Sequence, residues 1–213
     1  IMKLFARIVV GVLALVMVLM AISLSIVRGQ NESEAGWVLF ESNLCGPAEI
    51  FRMANDGRYL RRLTNNPSED QMARWSPDGK WIAFIRWHES NAELYRMRPN
   101  GRDVLRLTDN EWGDWEPRWS PDSQWIVFIA APNNNTEIFR IRPDGTDLQQ
   151  ISDTAGGVSV PTFSPDGQWM AYTTSIGGVA QTDMLRSRLD GSETELISYR
   201  NFPGLYPTST PNG

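Results

Sequence analysis

The sequence predicts an all-β chain, a β-propeller of about four four-stranded blades preceded by one N-terminal transmembrane or signal-anchor helix. Three observations carry this expectation. Several short motifs recur at a 44-residue step along the 213 residues. Each repeat places two tight-turn signatures between strand-like apolar runs. After residue 28 no stretch holds helical periodicity long enough to compete with strands.

The N-terminus comes first. Ile8 to Val27 are 20 consecutive uncharged residues, 13 of them Ile, Val or Leu. At about 0.3–0.6 kcal/mol for each such residue, insertion gains roughly 4–8 kcal/mol. Twenty residues at helical rise also match a hydrocarbon core of about 30 Å. Lys3 and Arg7 precede the run, which favours a cytoplasmic N-terminus and export of the remainder. Residues 1–30 are thus expected to be a membrane anchor, with a cleaved signal segment as the alternative. Residues 31–36 form a linker. The remaining residues are expected outside the cytoplasm, in the periplasm or at the cell surface, held by the anchor or released by cleavage.

The repeat follows. Trp75–Gly79 (Trp-Ser-Pro-Asp-Gly), Trp119–Ser123 and Phe163–Gly167 share one turn pattern at that step. Serine first, proline second and glycine fourth are type I turn preferences. Trp37–Phe40, Trp81–Phe84, Trp125–Phe128 and Trp169–Tyr172 open the strand after it. Lys80–Arg86 is apolar on both faces, as a strand covered on both sides requires. Glu49–Met53, Glu93–Met97, Glu137–Ile141 and, after 46 residues, Asp183–Ser187 mark a third strand. A second turn at Asn55–Gly57, Pro99–Gly101, Pro143–Gly145 and Leu189–Gly191 leads to an outer strand, Val104–Thr108 in the second unit. Four strands per 40–50 residues indicate propeller blades.

These motifs, from the Trp-Ser-Pro-Asp-Gly turn to the Asp-Gly turn before Leu107-Thr108, resemble the TolB-like propeller repeat, also called PD40 or WD40-like. The resemblance covers residues 37–213 and implies a periplasmic or cell-surface propeller that engages protein partners. The repeat units are 37–70, 71–114, 115–158 and 159–204, with a closing strand over 205–213. The first unit begins at its second strand, and the last residues align with an inner strand and its turn. Closure of a four-blade ring by this strand is expected, with an incomplete chain as the alternative.

Charge and composition narrow the function. Beyond residue 30 the sequence holds 17 basic and 25 acidic residues, a net charge of −8. A phosphate-binding surface needs a basic excess, so nucleic acid is not an expected partner. One cysteine forbids an internal disulfide, and one histidine excludes a multi-histidine metal site. No nucleophile elbow, metal-ligand cluster or phosphate loop occurs, so no catalytic residue, metal or cofactor is expected.

Binding is expected on the face of the longer, variable loops. Trp112, Asp114, Trp115 and Glu116 fall in one such loop, with Asp70 at the position equivalent to Asp114. Together they predict an acidic, aromatic rim, flanked by Arg74 and Tyr206, with His88 as a loop contact. Whether Trp115 joins Trp112 at the surface or packs between blades is left open. Trp75, Trp119, Trp81, Trp125 and Trp169 are expected in the core, and Asp78, Asp122 and Asp166 in their turns. The leading reading is a non-enzymatic scaffold for a protein partner, membrane-associated through the N-terminal helix. The alternatives are a glycan-binding or glycan-active propeller using Asp70, Asp114 and Glu116, and the truncated propeller part of a prolyl-oligopeptidase-like peptidase.

Overall fold

A computed structural model describes residues 36–198 apart from 45, 90, 160 and 176–181. The predicted N-terminal helix, the linker up to residue 35, the closing strand over 205–213 and Tyr206 lie outside the described residues. Among the described residues no helix is long and apolar enough to cross a membrane.

Four antiparallel sheets follow one another in sequence. The first holds β1 (Trp37–Ser42), β2 (Glu49–Ala54) and β3 (Arg61–Arg62). The second holds β4 (Asp70–Trp75), β5 (Ile82–His88), β6 (Asn91–Met97) and β7 (Leu105–Arg106). The third holds β8 (Asp114–Trp119), β9 (Ile126–Ala130), β10 (Glu137–Ile141) and β11 (Gln149–Gln150). The fourth holds β12 (Thr162–Phe163), β13 (Trp169–Ser175), β14 (Thr182–Arg188) and β15 (Glu195–Ser198). Strands pair in sequence order within each sheet, as in up-and-down blades. Among the described residues the first sheet has three strands, β1 standing where β5 stands in the second.

The double-sided apolar pattern finds its cause between sheets. Ile82 and Phe84 of β5 pack with Leu39 and Ile50 of the first sheet. Ala83 and Ile85, on the opposite face of the same strand, pack with Ile126 and Phe128 of the third. Val127 and Ile138 then meet Met170 and Tyr172 of the fourth. Each fully buried Ile, Leu or Phe contributes about 1.5–3 kcal/mol relative to exposure, so these interfaces form the core.

Each turn is closed by its own side chains. In the second blade the Ser76 hydroxyl donates to Asp78, whose Oδ1 accepts the Lys80 amide, while the Trp81 amide donates to Ser76 Oγ. The third and fourth blades repeat this with Ser120 and Asp122, and with Ser164 and Asp166. Ser123 stands where Gly79 and Gly167 stand and takes the same left-handed backbone, at φ 60°. Its hydroxyl accepts the Asp78 amide of the preceding blade at 3.1 Å, which offsets part of that strain.

Two expectations are corrected. The outer strand of the second blade pairs only over Leu105–Arg106 rather than Val104–Thr108, because the Thr108 hydroxyl takes the Leu94 amide at 2.9 Å in place of a carbonyl. Thr64 and Ser152 do the same to Ile50 and Ile138. Trp75 and Trp119 are buried as expected, but Trp81, Trp125 and Trp169 are only half-buried. Each indole lies against two arginines of the neighbouring strand: Arg96 and Arg98 at 3.7 Å from Trp81, Arg140 and Arg142 at 4.2 and 4.0 Å from Trp125, and Arg186 and Arg188 at 4.4 and 3.9 Å from Trp169. These tryptophans open their strands at the sheet margin, where long cationic side chains cover them better than another blade does.

Phe128 and Trp125 therefore separate experimentally. Phe128→Ala should lose about 3–5 kcal/mol and lower Tm by roughly 10 °C. Trp125→Ala should lose about half as much, since it surrenders two cation–π contacts of about 0.5–1 kcal/mol and partial burial. Thermal denaturation of the two variants checks this, and equal losses would restore Trp125 to the core.

Candidate functional site

The inner strands β4 and β8 begin with Asp70 and Asp114, the two carboxylates expected at an acidic rim. Both are fully buried, so no such rim forms from them. Arg86 donates to Asp70 through Nε at 2.6 Å and a terminal nitrogen at 2.9 Å, and Asn66 adds a third bond at 2.7 Å. The guanidinium also lies 4.8 Å from the Tyr95 ring. Burial works against the Arg86 charge, but the hydrogen bonds and attraction of Asp70 outweigh it and hold its pKa above the ordinary value.

Asp114 lacks such a partner, because the position of Arg86 in its blade is Ala130. It accepts from the Thr108 hydroxyl and, at 3.3 Å, from the Asn110 amide. Burial without a counter-charge pushes its pKa up to about 7, with the nearby Glu93 carboxylate adding to the rise. The fourth blade carries Val158 at this place, and Ser152, the counterpart of Thr108, donates to Glu137 instead. Asp70 and Asp114 thus pin the loops ahead of the inner strands. A glycan-active arrangement using both as solvent-facing acid and base loses its geometry.

What reaches the surface lies beside them. Trp112 is 37% exposed, and its amide donates to Asn110 Oδ1 at 3.0 Å. Trp115 is half-buried and lies over Gly113, where an added Cβ would come within 2.6 Å of the indole. Of the two, Trp112 is the more exposed. Both inner strands then bulge, between Gln71 and Arg74 and between Trp115 and Arg118. At these bulges Met72 and Glu116 take φ of 56° and 53°, a costly backbone for residues with a Cβ.

The bulges gather charge from three blades. The Glu41 carboxylate of β1 accepts the Met72 amide at 2.5 Å, and Met72 Sδ accepts the Glu116 amide at 3.4 Å. Glu116 sits 3.1 Å from Arg118 and 3.8 Å from Arg74 of the preceding blade. Burial raises the pKa of Glu41 despite its hydrogen bonds. Burial and the adjacent Arg74 depress that of Arg118, with Glu116 partly compensating. One carboxylate paired with two guanidiniums, beside a second carboxylate bonded to the backbone, suits recognition of a charged surface more than proton transfer. Among the described residues no cluster of three or more His, Cys, Asp and Glu could hold a metal.

Of the predicted site residues, Arg74, Glu116, Trp112 and Trp115 share this region. His88 is exposed and its Nε2 lies 2.6 Å from the Tyr95 hydroxyl, so it belongs to the neighbouring hairpin. Glu41, Met72 and Arg118 were missed. Arg118 and Met72 stand 44 residues from Arg74 and Glu116, a signal the repeat already contained; Glu41 has no counterpart in the other blades.

Asp114 titration should be visible in stability. Between the ordinary carboxyl value of 3.8 and about 7 the folded protein keeps a proton that the unfolded state has released. Stability therefore falls as pH rises through that window and levels off above 7. Asp114→Asn should remove part of this slope, shrinking the Tm loss between pH 5 and 8 by a few degrees. Thermal melts across that range check it.

Comparison with known proteins accords with this architecture. The TolB beta propeller domain family (PD40) matches residues 33–156. Among solved structures, a putative TolB from Agrobacterium tumefaciens is 24% identical, with a TM-score of 0.70, over 91% of this chain and 73% of that one. TolB from Acinetobacter baumannii is also 24% identical, with a TM-score of 0.63, over 83% of this chain and 44% of that one. A puromycin-hydrolyzing peptidase from Mycobacterium tuberculosis shares the fold at 13% identity and a TM-score of 0.60, over 83% of this chain and 31% of that one. No curated protein matches the sequence significantly. With more than half its length matched and four repeated blades in place, the chain belongs to the TolB β-propeller family.

Proposed function

We propose that the protein is a non-enzymatic scaffold that binds a protein partner through the face carrying Trp112 and the inner-strand charges. The observation that supports this best is an exposed tryptophan in the loop that leads into the strand carrying a pre-ordered charged cluster. Trp112 offers apolar area with little entropy to lose, and Arg74, Glu116 and Arg118 already hold one another in place. An anchor of this kind, with polar groups around it, fits a protein surface.

The location follows the same reading. The apolar run Ile8–Val27 with Lys3 and Arg7 ahead of it supports export and tethering of the propeller in the periplasm or at the cell surface. Membership of the TolB propeller family supports the periplasm among these.

Photo-crosslinking in intact cells tests the proposal. A benzophenone amino acid at position 112 of the full-length protein should yield a discrete adduct, and the same probe at position 102, on the tight-turn face, should not. Glu116→Gln, which keeps the side chain's shape and adds no third like charge beside Arg74 and Arg118, should weaken the adduct at 112, with a thermal melt checking that the variant remains folded. Equal labelling from both faces, or none from 112, would overturn the assignment.

A further inference from the structure

A cavity of about 510 Å³ opens between the second and third blades on the tight-turn side, away from Trp112. Trp81 and Arg96 form one wall, and Gln124, Pro143 and Thr146 of the next blade form the other. Its size falls within the range of small-ligand sites, about 300–1,000 Å³.

The repeats make one wall residue conspicuous. In the third blade Arg140 faces Gln149 across the outer strand pair. Its Nε and one terminal nitrogen donate to the Gln149 side chain at 3.1 and 2.6 Å, and the other donates to the Leu189 carbonyl at 2.9 Å. In the fourth blade Arg186 faces Glu195 and donates to it at 2.9 and 2.6 Å. In the second blade the residue across from Arg96 is Leu105, which offers no acceptor. Arg96 donates through Nε to the Pro143 carbonyl, and among the described residues its two terminal nitrogens have no protein acceptor and no ion pair.

The other charges around it are already engaged. Arg98 pairs with Asp103, and Arg142 with Asp147, both at 3.3 Å. Asp144 turns its Oδ1 into its own loop, accepting the Thr146 amide and hydroxyl at 3.0 and 2.7 Å. Arg96 is left without a hydrogen-bonded carboxylate, although Asp103 and Asp144 lie near enough to offset part of its charge; its guanidinium is held over Trp81 at 3.7 Å and its Nε is fixed by the neighbouring blade. A guanidinium held with two parallel N–H groups free presents the fork that a carboxylate fits.

We propose that this interblade cavity is a second binding site, in which the terminal nitrogens of Arg96 receive the carboxylate of a peptide ligand. The carboxylate supplies the counter-charge that Glu195 supplies to Arg186 in the fourth blade, but through the two terminal nitrogens, since Nε is taken by the Pro143 carbonyl. Gln124 adds a neutral amide on the facing wall beside Arg142, Asp144 and Asp147, and Pro143 with the edge of Trp81 gives the ligand's adjoining carbons an apolar lining. The C-terminus of a peptide and the side group of an aspartate or glutamate carry the same carboxylate, and the experiment separates them.

Three acetylated tetrapeptides would be titrated into the full-length protein, with binding followed by calorimetry. Tetra-alanine with a free C-terminus carries only the terminal carboxylate. An amidated peptide with one glutamate carries only that residue's carboxylate, and its glutamine counterpart carries neither. Binding of at least one carboxylate peptide, with none by the glutamine peptide, is expected. Leu105 is at the surface, so Leu105→Glu should fold normally and supply Arg96 with an internal partner. That variant and Arg96→Ala should each weaken binding by about tenfold or more, the loss of one charge-assisted pair. Glu111→Gln, at an exposed position on the other face, should leave binding unchanged. Equal binding of the glutamine peptide, no binding by either carboxylate peptide, or undiminished binding to Leu105→Glu would overturn the site.

Discussion

The second and third strands of each blade carry apolar side chains on both faces, so neither face tolerates water and each sheet needs a neighbour on either side. Ile82 and Phe84 face one sheet while Ala83 and Ile85 face the next. A single blade would leave half of this area wet, which is why the unit of stability is the stack. The constraint also sets the repeat. Whatever precedes and follows the two central strands must return the backbone to the same height, blade after blade. The tight Ser-Pro-Asp-Gly turns and the hydroxyl-terminated outer strands do this with local hydrogen bonds.

Polar groups inside the stack are organised around the same need. A glutamate at the start of the third strand recurs as Glu49, Glu93 and Glu137, all buried. Each accepts an amide from the loop leading to the following blade, at Asn66, Asn110 and Thr154. Arg62 and Arg106 supply counter-charge to the first two. These carboxylates fasten loop to sheet, and a buried acceptor left without donors would cost more than the bond contributes. Asp70 and Asp114 extend the scheme one step further along the loop. The apparent wealth of acid on the variable-loop side is therefore largely internal.

Function then falls to the places where one blade departs from the others. Arg86 against Ala130 decides that Asp70 is ion-paired and Asp114 is not. Leu105 against Gln149 and Glu195 decides that Arg96 keeps free donors. The bulges at Met72 and Glu116 turn the inner strands so that Glu41, Arg74, Glu116 and Arg118 converge. A repeat scaffold gives every blade the same backbone, so one substitution at a fixed position changes chemistry without disturbing the fold.

The sequence by itself determined the number of units, the position of both turns and the order of strands, because a turn is written by three or four adjacent residues. The buried role of Trp75 and Trp119 and the turn role of Asp78, Asp122 and Asp166 were legible for the same reason: the period places each at a known point of the blade. Tertiary structure decided what the period cannot express. Trp81 and Trp75 look alike in the sequence, yet one is only half-buried at the edge of the interblade core, under arginines from its own side of the blade, and the other is buried against a neighbouring blade. Asp114 and Glu116 are two residues apart, yet one is fully buried and the other pairs with Arg74 of the preceding blade across an interface. Burial and pairing depend on residues about 44 positions away, brought close only when the sheets stack.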